Sequence, residues 1–81
     1  MKVMNEISLK VEEVFRNVFP EAVGFSDETS SGDIRAWDSL NHIVLISKIE
    51  EKFGIKFELH EVLTMQTFGE ICVGVDKKLK H

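Results

Sequence analysis

The sequence predicts an all-α fold, a four-helix bundle of three longer helices, a short third helix and a long loop between helices one and two. Three observations carry it. Apolar residues recur at helical spacing and strand-like alternation is missing over any useful length. Cap and stop residues stand where helices would begin and end. The chain's 81 residues suit one small core and leave no room for a second, so a single domain over residues 1–81 is expected.

The first helix is read from Asn5 onward, where Ile7, Val11, Val14, Phe15 and Val18 fall on one face and Pro20 ends the run. Pro20 to Trp37 is rich in Gly, Ser, Asp and Glu and reads as a long surface loop, with Phe25 and Ile34 as expected anchors into the core. The second helix is expected to open at the Asp38-Ser39 step, where short polar side chains accept from unpaired backbone N–H groups. It runs to Phe53 with Gly54 as its stop. Leu45, Ile46, Ile49 and Phe53 make one apolar stripe on it, and Leu40, Ile43 and Val44, with Ser47, make another. One stripe can face the bundle, and the other is then available to a partner.

After Ile55 and Phe57, the segment Leu59 to Leu63 suffices for about one and a half turns at ~3.6 residues per turn, giving the short third helix. Thr67-Phe68-Gly69-Glu70 has the form of a capping box, in which the hydroxyl and the carboxylate satisfy backbone N–H groups reciprocally. The fourth helix follows, with Phe68, Ile71, Cys72, Val75 and Leu79 as its expected buried face. Lys77, Lys78 and Lys80 oppose the negative end of its dipole.

Composition narrows the function further. The formal charge is -4, and the whole excess lies between Asp27 and Glu61, where Asp27, Glu28, Asp33, Asp38, Glu50, Glu51, Glu58 and Glu61 face only Arg35, Lys48, Lys52 and Lys56. Such a middle repels phosphate backbones and favours partners with basic patches, so nucleic acid is not an expected ligand. Cys72 is the single cysteine, so no internal disulfide can form, and His60 and His81 lack the companions a metal site needs. Neither a secretory signal nor a membrane span is legible, since the longest apolar run is Ile43-Val44-Leu45-Ile46 against the ~20 residues a crossing requires. A cytoplasmic monomer that does not engage a membrane is the expectation.

The order of the motifs is more specific than any one of them. A helix closing at Phe19-Pro20 is followed by the loop, then Trp37-Asp38-Ser39-Leu40-Asn41-His42, then Glu50-Glu51-Lys52-Phe53-Gly54, then Thr64 to Ile71. In that order the chain resembles the acyl carrier proteins over nearly its whole length. The resemblance implies that Ser39 receives 4′-phosphopantetheine from coenzyme A through a phosphopantetheinyl transferase, and that acyl groups then ride on the arm as thioesters. It implies that Asp38 matches the aspartate associated with the magnesium-dependent attachment reaction. It further implies that Leu40 and Ile43 are apolar positions exposed near the arm, and that Glu50 and Glu51 dock acyl-loading and acyl-processing enzymes through their basic patches. A phosphodiester fits a helix start physically, beside free N–H groups and the positive dipole end.

Two features depart from fatty-acid carriers, which usually have small residues, often Gly-Ala, where this chain has Ala36-Trp37, and usually glutamate where it has Val44. The Trp-Asp-Ser-Leu-x-His pattern looks more like free-standing carriers of specialised pathways, so fatty-acid, polyketide and related cargoes stay open, as do peptidyl or aminoacyl ones.

The same residues admit other roles. Ser39 has an ordinary helix cap as its alternative, and an unmodified helical interaction domain would use it so. His42 shares the stripe of Leu45 and Ile46 and reads as a satisfied histidine at the core edge; Trp37 reads as a partly buried loop anchor, and Cys72 as a small apolar core residue. Asp38, Ser39 and His42 are close in sequence, but catalytic triads join distant segments around an oxyanion hole. No Gly-x-Ser-x-Gly turn is present, so no catalytic activity is expected.

Overall fold

The computed structural model describes residues 5–20 and 26–80. Four helices follow in order: α1 (Asn5–Val18), α2 (Ser39–Phe53), α3 (Leu59–Thr64) and α4 (Phe68–Leu79), and no strand accompanies them among the described residues. The all-α expectation holds, with three longer helices and a short third one.

The apolar stripe of α1 is what builds the core. Val11, Val14 and Phe15 are buried, with Ile7 and Val18 packed at the edge, and α1 lies against both α2 and α4. From α2 come Leu45, Ile46 and Ile49, and from α4 Phe68, Ile71, Cys72 and Val75. Leu79 was expected on that buried face, but it is exposed: one turn beyond Val75 the helix has run past the buried cluster. At the centre, the Phe15 ring meets Trp37 edge-on at 5.1 Å between centroids and Phe68 at 5.2 Å, so one α1 side chain supports the starts of both α2 and α4.

The connection between α1 and α2 is wound rather than slack. Its described part turns three times in succession, through Thr29 N–H to the Ser26 carbonyl, Asp33 N–H to Ser30 and Trp37 N–H to Ile34. Buried Thr29 accepts from Ser26 N–H with its hydroxyl, and Asp33 accepts from Ser30 N–H. Ile34 is buried as the expected anchor, whereas Phe25, the other one, lies outside the described residues.

Six residues are too few for an isolated helix to persist in water, so α3 depends on its neighbours. Glu61 accepts from Glu58 N–H at 2.7 Å and pairs with Lys78 of α4 at 2.9 Å. These two partners, the Glu58 N–H first, hold the Glu61 carboxyl below the ordinary glutamate range. Val62 and Met65 are buried beneath it. Across the bundle Lys52 of α2 reaches Glu13 of α1 at 2.8 Å, and its hydrogen bond and charge likewise lower the Glu13 pKa.

Gly54 ends α2 as the sequence predicts. Its φ of 67° is left-handed, a region that side chains with a Cβ rarely adopt, and its N–H and that of Ile55 both return to the Glu50 carbonyl. No helix of the described residues is long and apolar enough to cross a membrane.

Candidate functional site at the start of α2

A helix start exposes backbone N–H groups that the helix itself cannot satisfy. At α2 the cap is Asp38 and not Ser39. Asp38 has extended backbone, and its Oδ1 accepts from Asn41 N–H at 2.8 Å, while Oδ2 has no partner among the described residues. Ser39 is the first helical residue, exposed, and its hydroxyl makes no hydrogen bond with any described residue. The backbone N–H groups of Ser39 and Leu40 are equally open. Among the described residues a hydroxyl and two N–H donors thus stand without partners at the positive end of a helix of 15 residues.

The backbone around this opening is fixed from both sides. The Ala36 carbonyl accepts from Asp38 N–H and from the Asn41 side-chain amide at 2.7 Å, and the Trp37 indole N–H donates to His42 Nδ1 at 2.9 Å. Asn41 is a contributor that the sequence reasoning passed over. Its signal was available, because an Asn three residues after an Asp cap can return its own side chain to the turn. Trp37 is more deeply buried than a loop anchor would be, with 3% exposure, since His42 satisfies its one polar atom. His42 in turn is fully used, because its Nε2 lies 2.9 Å from the Val62 carbonyl of α3. Neither ring nitrogen is left to serve as a base for Ser39.

Along α2 the two stripes separate as their spacing requires. Leu45, Ile46 and Ile49 are inside, while Leu40 (73% exposed), Ile43 and Val44 face solvent close to Ser39. Glu51 is exposed. Glu50 is half-buried and accepts from Phe57 N–H at 2.8 Å, a role in closing the turn after α2 that the sequence did not suggest. A separate groove of about 600 Å³ lies between α3 and α4, around Phe57, Met65, Val73 and Gly74, and no residue of α2 lines it. No group of His, Cys, Asp and Glu among the described residues is placed to hold a metal.

Residues 10–72 match the family described as the phosphopantetheine attachment site. The chain belongs to the acyl carrier protein family. The holo acyl carrier protein of Geobacter metallireducens, solved in solution, is similar to it at 37% identity over 99% of this chain and 88% of that one, with a TM-score of 0.79. A Mycobacterium tuberculosis chain bearing the name of a putative acyl carrier protein shares the fold at 18% identity and a TM-score of 0.80, covering 88% of this chain and 96% of that one. No curated protein matches the sequence. Membership makes this a carrier domain with phosphopantetheine as its prosthetic group, and the exposed Ser39 hydroxyl and the two N–H groups beside it, without partners among the described residues, are a setting such a phosphodiester fits.

Proposed function

We propose that Ser39 is the attachment point of 4′-phosphopantetheine and that the carrier presents acyl intermediates, of fatty-acid, polyketide or a related specialised type, to biosynthetic enzymes in the cytoplasm as a monomer. The single observation that carries the assignment is the Ser39 hydroxyl, exposed and without a partner among the described residues, while Asp38 does the capping. When attached, the arm supplies a terminal thiol that holds acyl groups as thioesters.

The residues of the chain do the rest. In the transfer, Ser39 Oγ forms the new bond to phosphorus and gives up its proton to a base of the transferase, as the nucleotide half of coenzyme A leaves. The Ser39 and Leu40 N–H groups, at the same helix start, are the donors a phosphate on that hydroxyl would draw on. Asp38 Oδ2 is free to join a magnesium ion bound in the transferase. Leu40, Ile43 and Val44 give partners an apolar contact beside Ser39, and Glu51, with the outer charge of Glu50, steers basic enzyme surfaces toward it. Val44 favours a dedicated partner that can bury it over a fatty-acid enzyme that offers a basic group at that place.

Intact mass after incubation with coenzyme A and a phosphopantetheinyl transferase tests the reading. One arm is gained by the wild type and none by Ser39→Ala; an alanine variant that still gains the mass overturns the assignment. In the same assay the rate falls as salt is raised, and a rate indifferent to salt removes charge from the docking surface.

A further inference from the structure

Three hydrogen bonds made by side chains straddle Ser39 and Leu40, beside the backbone bond from His42 N–H to the Asp38 carbonyl. Asn41 donates to the Ala36 carbonyl, His42 accepts from the Trp37 indole, and Asn41 N–H donates to Asp38, so that residues 36, 37 and 38 are each tied to residues 41 and 42 across the two exposed positions between them. Two of these ties are local to the turn. The His42 tie alone extends further, through Nε2 to the Val62 carbonyl twenty residues away.

The partners dictate how the ring is held. An indole N–H can only donate, so His42 Nδ1 accepts; a carbonyl can only accept, so Nε2 carries the proton and donates. The ring is stacked on Trp37, 22° from parallel at 6.0 Å between centroids, and Trp37 is packed on Phe15 and Phe19 of the α1 end. At the other end, the Val62 carbonyl lies in the last turn of α3, where the helix provides no N–H for it, because Gln66 N–H is turned to Glu70. One imidazole thus joins the aromatic cluster, the turn that sets up Ser39, and a helix too short to hold its own place.

We propose that His42 is a positioning residue for group transfer at Ser39, holding the Trp37-Asp38-Ser39 backbone in the geometry the transferase engages; this rests on Ser39 being the attachment point. Losing the tie leaves Ser39 and its surface chemistry in place but lets the turn before it sample other arrangements, so the barrier to transfer rises while the docking face is unaltered.

The test uses the whole chain as substrate and follows arm attachment by intact mass, with kcat and KM for the carrier measured separately. His42→Gln places an amide nitrogen about where Nε2 lies and can keep the Val62 bond while losing the acceptor for Trp37. His42→Asn places an oxygen about where Nδ1 lies and can keep the acceptor while losing Val62. His42→Gln is expected to lower kcat about five- to tenfold, the size of one lost hydrogen bond, with KM nearly unchanged. His42→Asn stays within about twofold of wild type, because it keeps the acceptor for Trp37 that holds the turn before Ser39. Trp37→Phe matches His42→Gln, and the double variant is no slower than either, since both remove one bond. Trp37 is the single tryptophan, so its emission reports the same loss independently of transfer.

Helical circular dichroism is recorded for each variant, and Trp37→Phe carries the test should His42→Gln lose its helical signal. Wild-type kcat and KM in folded His42→Gln overturn the proposal, as does an equal slowing in His42→Asn, which would mean a general loosening of α3. Ser39→Ala run alongside separates the two failures: if it is still modified, the attachment reading has failed; if it is not, only the role of His42 has.

Discussion

The starts of α2 and α4 are built alike and finished differently. Each is capped by a short polar residue whose side chain accepts from the third N–H of the helix, Asp38 from Asn41 and Thr67 from Glu70. At α4 the loop closes the remainder: Phe68 N–H donates to the Thr29 carbonyl at 2.8 Å and Gly69 N–H to the Asp27 carbonyl at 3.0 Å, while Ser30 and Thr67 form an isolated bridge beside them. Glu70 completes it by accepting from Gln66 and Thr67 N–H. At α2 the corresponding N–H groups, of Ser39 and Leu40, have no partner among the described residues. A cap settles one N–H only, and the surrounding structure decides whether the other two become part of the scaffold or stay available to a phosphate.

The largest effect should come from removing what both starts share. Phe15 is fully buried and touches Trp37 ahead of α2 and Phe68 at the head of α4, so Phe15→Ala is expected to cost about 3–5 kcal/mol, as large-to-small aromatic changes in cores do. Chemical denaturation measures it, and a loss below about 1 kcal/mol would mean that the two starts do not rest on a common support.

Next comes the closed start alone. A Cβ on Gly69 would lie 2.8 Å from the Asp27 carbonyl oxygen and 2.9 Å from its Cβ, too close for the loop to keep its place. Gly69→Ala should therefore destabilise by about 1–3 kcal/mol despite alanine's better helix propensity. Amide exchange would show the loss of protection at Phe68 and residue 69, with Ser39 and Leu40 unaffected. A variant as stable as wild type would show that the loop does not need this approach.

The smallest effect separates a structural start from a functional one. Thr67→Ala should cost about 1 kcal/mol through the lost cap. Ser39→Ala should fall within about 0.5 kcal/mol of wild type, because its hydroxyl supports nothing among the described residues. Thermal melts of the two variants side by side check this, and equal losses would return Ser39 to the role of a cap.

Much of this architecture is written in local sequence. Helical periodicity placed α1, α2 and α4, Gly54 marked a left-handed stop, and Thr67-x-x-Glu70 announced its capping box, because each of these depends on neighbours within about four residues. Asp38-Ser39-Leu40 in its setting was enough to point to the family, and the attachment at Ser39 proposed above builds on it. Which residue caps was not legible there, since Asp38 and Ser39 are both good caps and only the extended backbone at Asp38 separates them.

Tertiary structure decided the remainder. That carbonyls of residues 27 and 29 seal a helix some forty residues later, that His42 finds the Val62 carbonyl, and that Glu50 turns inward to Phe57 are matters of how the chain folds back on itself. No spacing in the sequence encodes them. A lone backbone N–H or C=O looks the same in every residue, and its partner is set by whichever segment the core brings beside it. Sequence by itself therefore determined four helices and the family to which they belong. The tertiary fold, by laying the Asp27 and Thr29 carbonyls against α4 and none of the described carbonyls against the N–H groups of Ser39 and Leu40, determined that one start is closed and the other is left open.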